Sequence, residues 1–139
     1  MTDEELLWKK LAFIDTCVHE LRTLARPAAV PSDVRERRFV EHTLQLAIQA
    51  ALDVAAHIVS AESLGEPATN KELFERLVNA GWVGPELAAP LRSMAGFRNV
   101  LVHGYTDVDV GIVQDVLAHH LGDLTSYTAA VRRRLRPGG

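Results

Sequence analysis

Apolar residues recur at three- and four-residue spacing almost everywhere along the chain, and β-branched alternation is absent. The pattern predicts helices and no strands. Leu7, Leu11, Ile14, Val18, Leu21 and Ala25 form one continuous stripe on a first helix. That helix is expected to begin near Thr2, with Glu5 completing a capping box. Pro27 and Pro31 punctuate its exit. A second helix is expected from about Ser32 to Glu62, roughly 45 Å long at the helical rise. From Leu44 to Val59 it is apolar almost all round. Leu44, Ile48, Ala51, Ala55 and Val59 make one face, and Val40, Ala47, Val54 and Ile58 its neighbour. A helix this apolar must be central or must face a partner chain, and the pattern suits both. Gln45, Gln49, Asp53 and His57 interrupt it at i+4 spacing, a single polar ridge.

Leu64-Gly65-Glu66-Pro67 reads as a turn. A short helix is expected from Thr69 or Asn70 to Ala80, stopped by Gly81. Gly84-Pro85 starts the next, which carries Leu87, Leu91, Met94 and Leu101 and ends near His103-Gly104. Pro90 either kinks it or marks its proper start. One last helix is expected from about Val108 to Leu135, with Val113, Leu117, His120, Leu124, Tyr127 and Val131 on its stripe. The fold class is all-α: an antiparallel bundle of four main helices plus one short one, in a single domain over residues 1–139.

Composition narrows the classes. With 47% hydrophobic and 24% charged residues the chain is ordinary for a globular protein. Its one cysteine, Cys17, allows no internal disulfide, which suits a reducing cytoplasm. An acidic N-terminus without an apolar signal core, and no uninterrupted apolar run of membrane length, predict a cytoplasmic protein without a membrane partner. A net charge of −3 argues against broad nucleic-acid coating but leaves room for a local basic site. Arg35, Arg37 and Arg38 form one cluster and Arg132, Arg133, Arg134 and Arg136 another, read first as a solvated helix start and a helix C-terminus. No phosphate loop and no metal-ligand spacing is present, so neither cofactor nor metal is expected.

The chemistry concentrates in Phe97-Arg98-Asn99-Val100-Leu101-Val102-His103-Gly104-Tyr105. Such an apolar run is expected to be buried, and buried polar groups cost free energy unless paired or used. An arginine and a histidine are the minimum kit for cutting RNA without a metal: one stabilises charge building on phosphorus, the other moves a proton near neutral pH. On one straight helix the two would point about 140° apart. They share a cleft only if the helix ends between them, for which Gly104 offers a left-handed stop, or if a two-fold axis brings two copies together. The competing structural reading pairs Arg98 with Asp53 and has His103 cap helix carbonyls.

Arg98-x-x-x-x-His103-x-Tyr105 resembles the R-x-x-x-x-H-x-Y signature of the HEPN superfamily, in the form found in HepT-like toxins. Leu44 to Ile58 resembles the second helix of that family. Lys71-Glu72-Leu73-Phe74, Ala80-Gly81 and Met94-Ala95-Gly96-Phe97 follow in the family's order, so the resemblance runs from about Leu6 to Arg133. Pro90 departs from it. The resemblance implies a helical homodimer with an RNA-cleaving cleft at its two-fold interface and RNA as substrate. It implies catalytic roles for Arg98 and His103, supported by Asn99 and Asp53. It also implies an MntA-like minimal nucleotidyltransferase antitoxin as partner, silencing the toxin by transferring AMP to Tyr105. The alternative is a non-catalytic helical adaptor that binds a nucleotidyltransferase.

Overall fold

The computed structural model describes residues 3–104 and 108–135, and in them the chain is all-helical. Six α-helices follow in order: α1 Asp3–Leu24, α2 Val34–Ala61, α3 Asn70–Asn79, α4 Ala88–His103, α5 Val110–His119 and α6 Leu121–Leu135. Single 3₁₀ turns at Pro27–Ala29 and Pro85–Leu87 lie before α2 and α4.

The boundaries have local causes. Asp33 caps α2 by accepting from the Arg35 and Glu36 amides at 2.9 and 3.3 Å. Thr69 and Glu72 form a reciprocal capping box on α3. Gly81, at φ +80°, closes the turn after it. Pro90 neither kinks α4 nor starts it. It sits in the first turn, where backbone amides have no helical acceptor and proline costs no hydrogen bond. Thr2 of the expected first capping box lies outside the described residues.

The expected last helix is two helices. At His120 the backbone leaves helical geometry (φ −122°, ψ −2°). The ring is bracketed there, with Nδ1 3.1 Å from Asp123 Oδ2 and Nε2 3.1 Å from Asp115 Oδ2. Gly122, a weak helix former, follows directly.

Helix α2 is the centre. It packs against α1, α3 and α4, and the fully buried Tyr127 of α6 donates to its Ala51 carbonyl at 2.8 Å. The pairs Asp3–His57 and Lys10–Asp53 make α1 and α2 antiparallel. Asn70–Asn99 and Glu75–Arg92 do the same for α3 and α4. Helix α6 lies along α1, where Asp15 accepts from Thr128 at 2.8 Å and pairs with Arg132 at 2.6 Å. An 18-residue window of α2 reaches a mean hydropathy of 1.4, as apolar as a membrane span. The bundle accounts for that, because Val40, Leu44, Ala47, Ile48, Ala51, Val54, Ala55 and Ile58 are buried within the single chain. The surplus apolar surface expected on this helix is therefore small. The larger apolar side chains it leaves exposed are Val34 at its start, at 55%, and Leu46 beside the ridge, at 39%, the latter near Phe13 of α1 at 42%.

Trp82 is buried, with the Arg134 guanidinium 5.1 Å from its ring centre. Arg132 and Arg134 are thus committed to packing rather than to a free basic patch.

Candidate active site at the α2–α4 contact

The motif segment is not buried as a whole. Helix α4 runs unbroken through it, so only one face turns inward: Phe97 and Leu101 are buried, Arg98 is half-buried, and Asn99, Val100 and His103 are exposed. Gly104 is not the left-handed stop expected of it, having φ −96°. Its amide bonds the Val100 carbonyl at 2.7 Å, and a Cβ there would sit 2.6 Å from that oxygen. The glycine is required for space, not for its φ.

Because α4 remains helical to His103, Arg98 and His103 project about 140° apart in one chain. His103 is exposed on the last turn, and among the described residues nothing hydrogen-bonds to its ring and it caps no carbonyl.

Arg98 reaches the polar ridge of α2. Its Nε donates to Gln49 Oε1 at 3.0 Å, and its Nη1 to Asn99 Oδ1 at 3.3 Å. The direct pairing with Asp53 that the competing structural reading requires is absent. Asp53 instead accepts from Gln49 Nε2 at 2.9 Å and pairs with Lys10 of α1 at 3.4 Å. Asp53 thus acts on Arg98 through Gln49. Among the described residues no carboxylate forms an ion pair with Arg98, and nothing accepts from its Nη2. Among the described residues both hydrogen-bond partners of the guanidinium are neutral amides, so none of them neutralises its charge.

Asn99 also accepts from Asn70 Nδ2 at 3.5 Å, which ties the site to the start of α3. The groove next to it, of about 260 Å³, is lined by Lys9, Lys10, Phe13, Leu46, Gln49 and Asp53. The sequence marks the ridge but not Gln49 as its working member. It gives no sign of Lys10 or Asn70, which reach the site only through tertiary packing. His57 leans away from the site toward Asp3, 3.9 Å off. Tyr105 lies outside the described residues. Among the described residues no three His, Cys, Asp or Glu side chains are grouped to hold a metal ion.

Residues 14–131 match the family described as Ribonuclease HepT-like. The mRNA nuclease HepT of Shewanella oneidensis is 26% identical over 129 residues, 92% of this chain and 97% of that protein. The tRNA nuclease HepT of Aphanizomenon flos-aquae is 40% identical over 104 residues, 75% and 71% of the two chains. In a solved structure, the tri-AMPylated Shewanella oneidensis HEPN toxin in complex with MNT antitoxin, the matching chain superposes with a TM-score of 0.83 at 27% identity, over 95% of this chain and 98% of that one. The family match takes in most of the chain and the whole of the motif helix, and the chain belongs to the HepT-like ribonucleases, the RNA-cutting toxins of the HEPN class.

Proposed function

We propose that this ribonuclease toxin cuts RNA without a metal, in a cleft formed where two copies meet, with Arg98 binding the phosphate and His103 moving the proton. The observation that carries this is the uncompensated guanidinium. Among the described residues Lys10 takes Asp53, and Arg98 is left bonded to neutral amides with its charge intact. The divergence of Arg98 and His103 along α4 favours a composite cleft, in which each copy's histidine serves phosphate bound at the other copy's arginine. Phe13, Leu46 and Val100, all exposed beside the site, are the apolar surface such a contact would cover.

His103 would take the proton from the 2′-hydroxyl. The 2′-oxygen then bonds to phosphorus, the bond from phosphorus to the 5′-oxygen breaks, and a histidine returns a proton to that oxygen. The products are a 2′,3′-cyclic phosphate and a free 5′-hydroxyl. Arg98 donates to the phosphate oxygens as charge builds on them. Asn99 and Asp53 support it, one directly and one through Gln49. The partner would be an MntA-like nucleotidyltransferase that silences the toxin by placing AMP on Tyr105, in a cytoplasmic toxin–antitoxin pair. The phosphodiester charge would then compete for Arg98.

The test is cleavage of RNA by purified protein in chelator. Cyclic-phosphate ends are expected. Loss of about 10²–10⁴-fold is expected for His103→Ala, and about 10²–10³-fold for Arg98→Ala. Cleavage that needs added divalent metal and survives His103→Ala would refute the mechanism. Binding of the nucleotidyltransferase without any cleavage would establish the adaptor reading.

A further inference from the structure

We infer that Gln49 is a positioning residue for the reaction: it fixes the Arg98 fork while leaving the guanidinium charge free for phosphate. This rests on the ribonuclease reading for its purpose, but not for its geometry. Arg98 can only donate hydrogen bonds, and an ionised Asp53 can only accept them. A primary amide does both, so Gln49 fits between them in one orientation. Its Nε2 must face Asp53, at 2.9 Å, which turns Oε1 to the Arg98 Nε at 3.0 Å. Lys10 supports the same order by holding the outer oxygen of Asp53 at 3.4 Å. The chain Lys10–Asp53–Gln49–Arg98 therefore passes orientation inward but passes no neutralising charge to the guanidinium.

Its two parts separate in kinetics. Gln49→Met keeps the bulk and neutrality but removes the acceptor. Arg98 keeps its charge and loses its aim, so kcat is expected to fall about tenfold to a hundredfold, with KM nearly unchanged. Gln49→Glu combined with Asp53→Asn keeps an acceptor for Arg98 and a donor to position 49, but moves the negative charge onto the arginine. KM is expected to rise, because a guanidinium already paired with a carboxylate attracts phosphate less strongly. A merely structural residue would not lower mainly kcat in one variant and raise mainly KM in the other.

A third readout needs no RNA. The Arg98 Nε–H resonance, assigned by its loss in Arg98→Lys, is expected to be protected from exchange in the wild type. It should stay so in the double variant and lose protection in Gln49→Met. Unchanged protection in Gln49→Met, or equal changes in kcat and KM in both variants, would overturn the proposal. If the wild type cuts no RNA, the ribonuclease mechanism fails, and the resonance alone decides whether Gln49 holds Arg98.

Discussion

The chain has two tyrosines, Tyr105 and Tyr127, and the environment of one bears on the other. Tyr127 is fully buried, its hydroxyl bonded to the Ala51 carbonyl and its ring edge-on to Phe74 at 5.6 Å. Burial pushes its phenol far above the ordinary value. It is therefore closed to any transferase, and an AMP adduct, about 329 Da each from the composition of AMP, should map to Tyr105 by mass spectrometry. Coexpression with the nucleotidyltransferase should leave Tyr105→Phe unmodified; an adduct persisting in that variant would sink the assignment. Cys17 is closed in the same way. Burial, with the Glu20 carboxylate adding to it, pushes its thiol up to about 11. The folded chain favours the neutral thiol, so this contribution to stability is complete below the unfolded value near 9 and lost as the pH rises through about 11. Disulfide reagents at pH 8 should find no reactive thiol in the native protein and one in urea. Rapid native labelling would contradict the burial.

At the scale of elements, what the sequence reveals depends on where the cause is local. The starts of α2 and α3 are legible because Asp33 and Thr69 cap them from within a few residues. The α5–α6 break is not, because Val113, Leu117, Leu124 and Tyr127 keep one helical phase across it and His120 falls on the same stripe. The carboxylate bracket that marks the break is seen only in three dimensions. The active-site pair is legible as a motif, whereas its holders Gln49, Lys10 and Asn70 come from other helices and leave no local signal. Gly104 shows a correct residue with the wrong reason, since the nearby Val100 carbonyl, not a left-handed backbone, demands it. Gly104→Ala should therefore loosen the last turn of α4, lower stability by about 1 kcal/mol or more, and speed amide exchange at His103. An unchanged melting temperature with unchanged exchange would mean that the carbonyl moves aside freely.

For the whole molecule, the long apolar helix turns out to be a poor argument for a dimer. A single chain already covers most of it, with Leu11, Ile14, Phe74, Leu77 and Leu91 among the core residues. The case for two copies rests instead on the diverging Arg98 and His103 and on the exposed apolar residues around them. Sedimentation at micromolar concentration should give about twice the 15.3 kDa chain mass. Phe13→Glu should dissociate the pair without unfolding it, because that side chain is 42% exposed and its replacement disturbs little of the core. A wild-type monomer that cuts RNA at full rate would remove the composite cleft.

A cation restrained by amides rather than matched by a carboxylate is a receptor in search of a counterion. Before any RNA arrives, Arg98 should draw ordinary inorganic anions from solution, and whatever binds only the folded form stabilises it by mass action. Sulfate should therefore raise the melting temperature of the wild type more than that of Arg98→Ala, beyond what chloride at equal ionic strength does. Equal gains in both proteins would show that the arginine is not open to anions. The same property makes solvent a competitor of substrate: in phosphate buffer the toxin would be partly occupied by its own medium, and its measured activity would fall with buffer concentration as well as with salt.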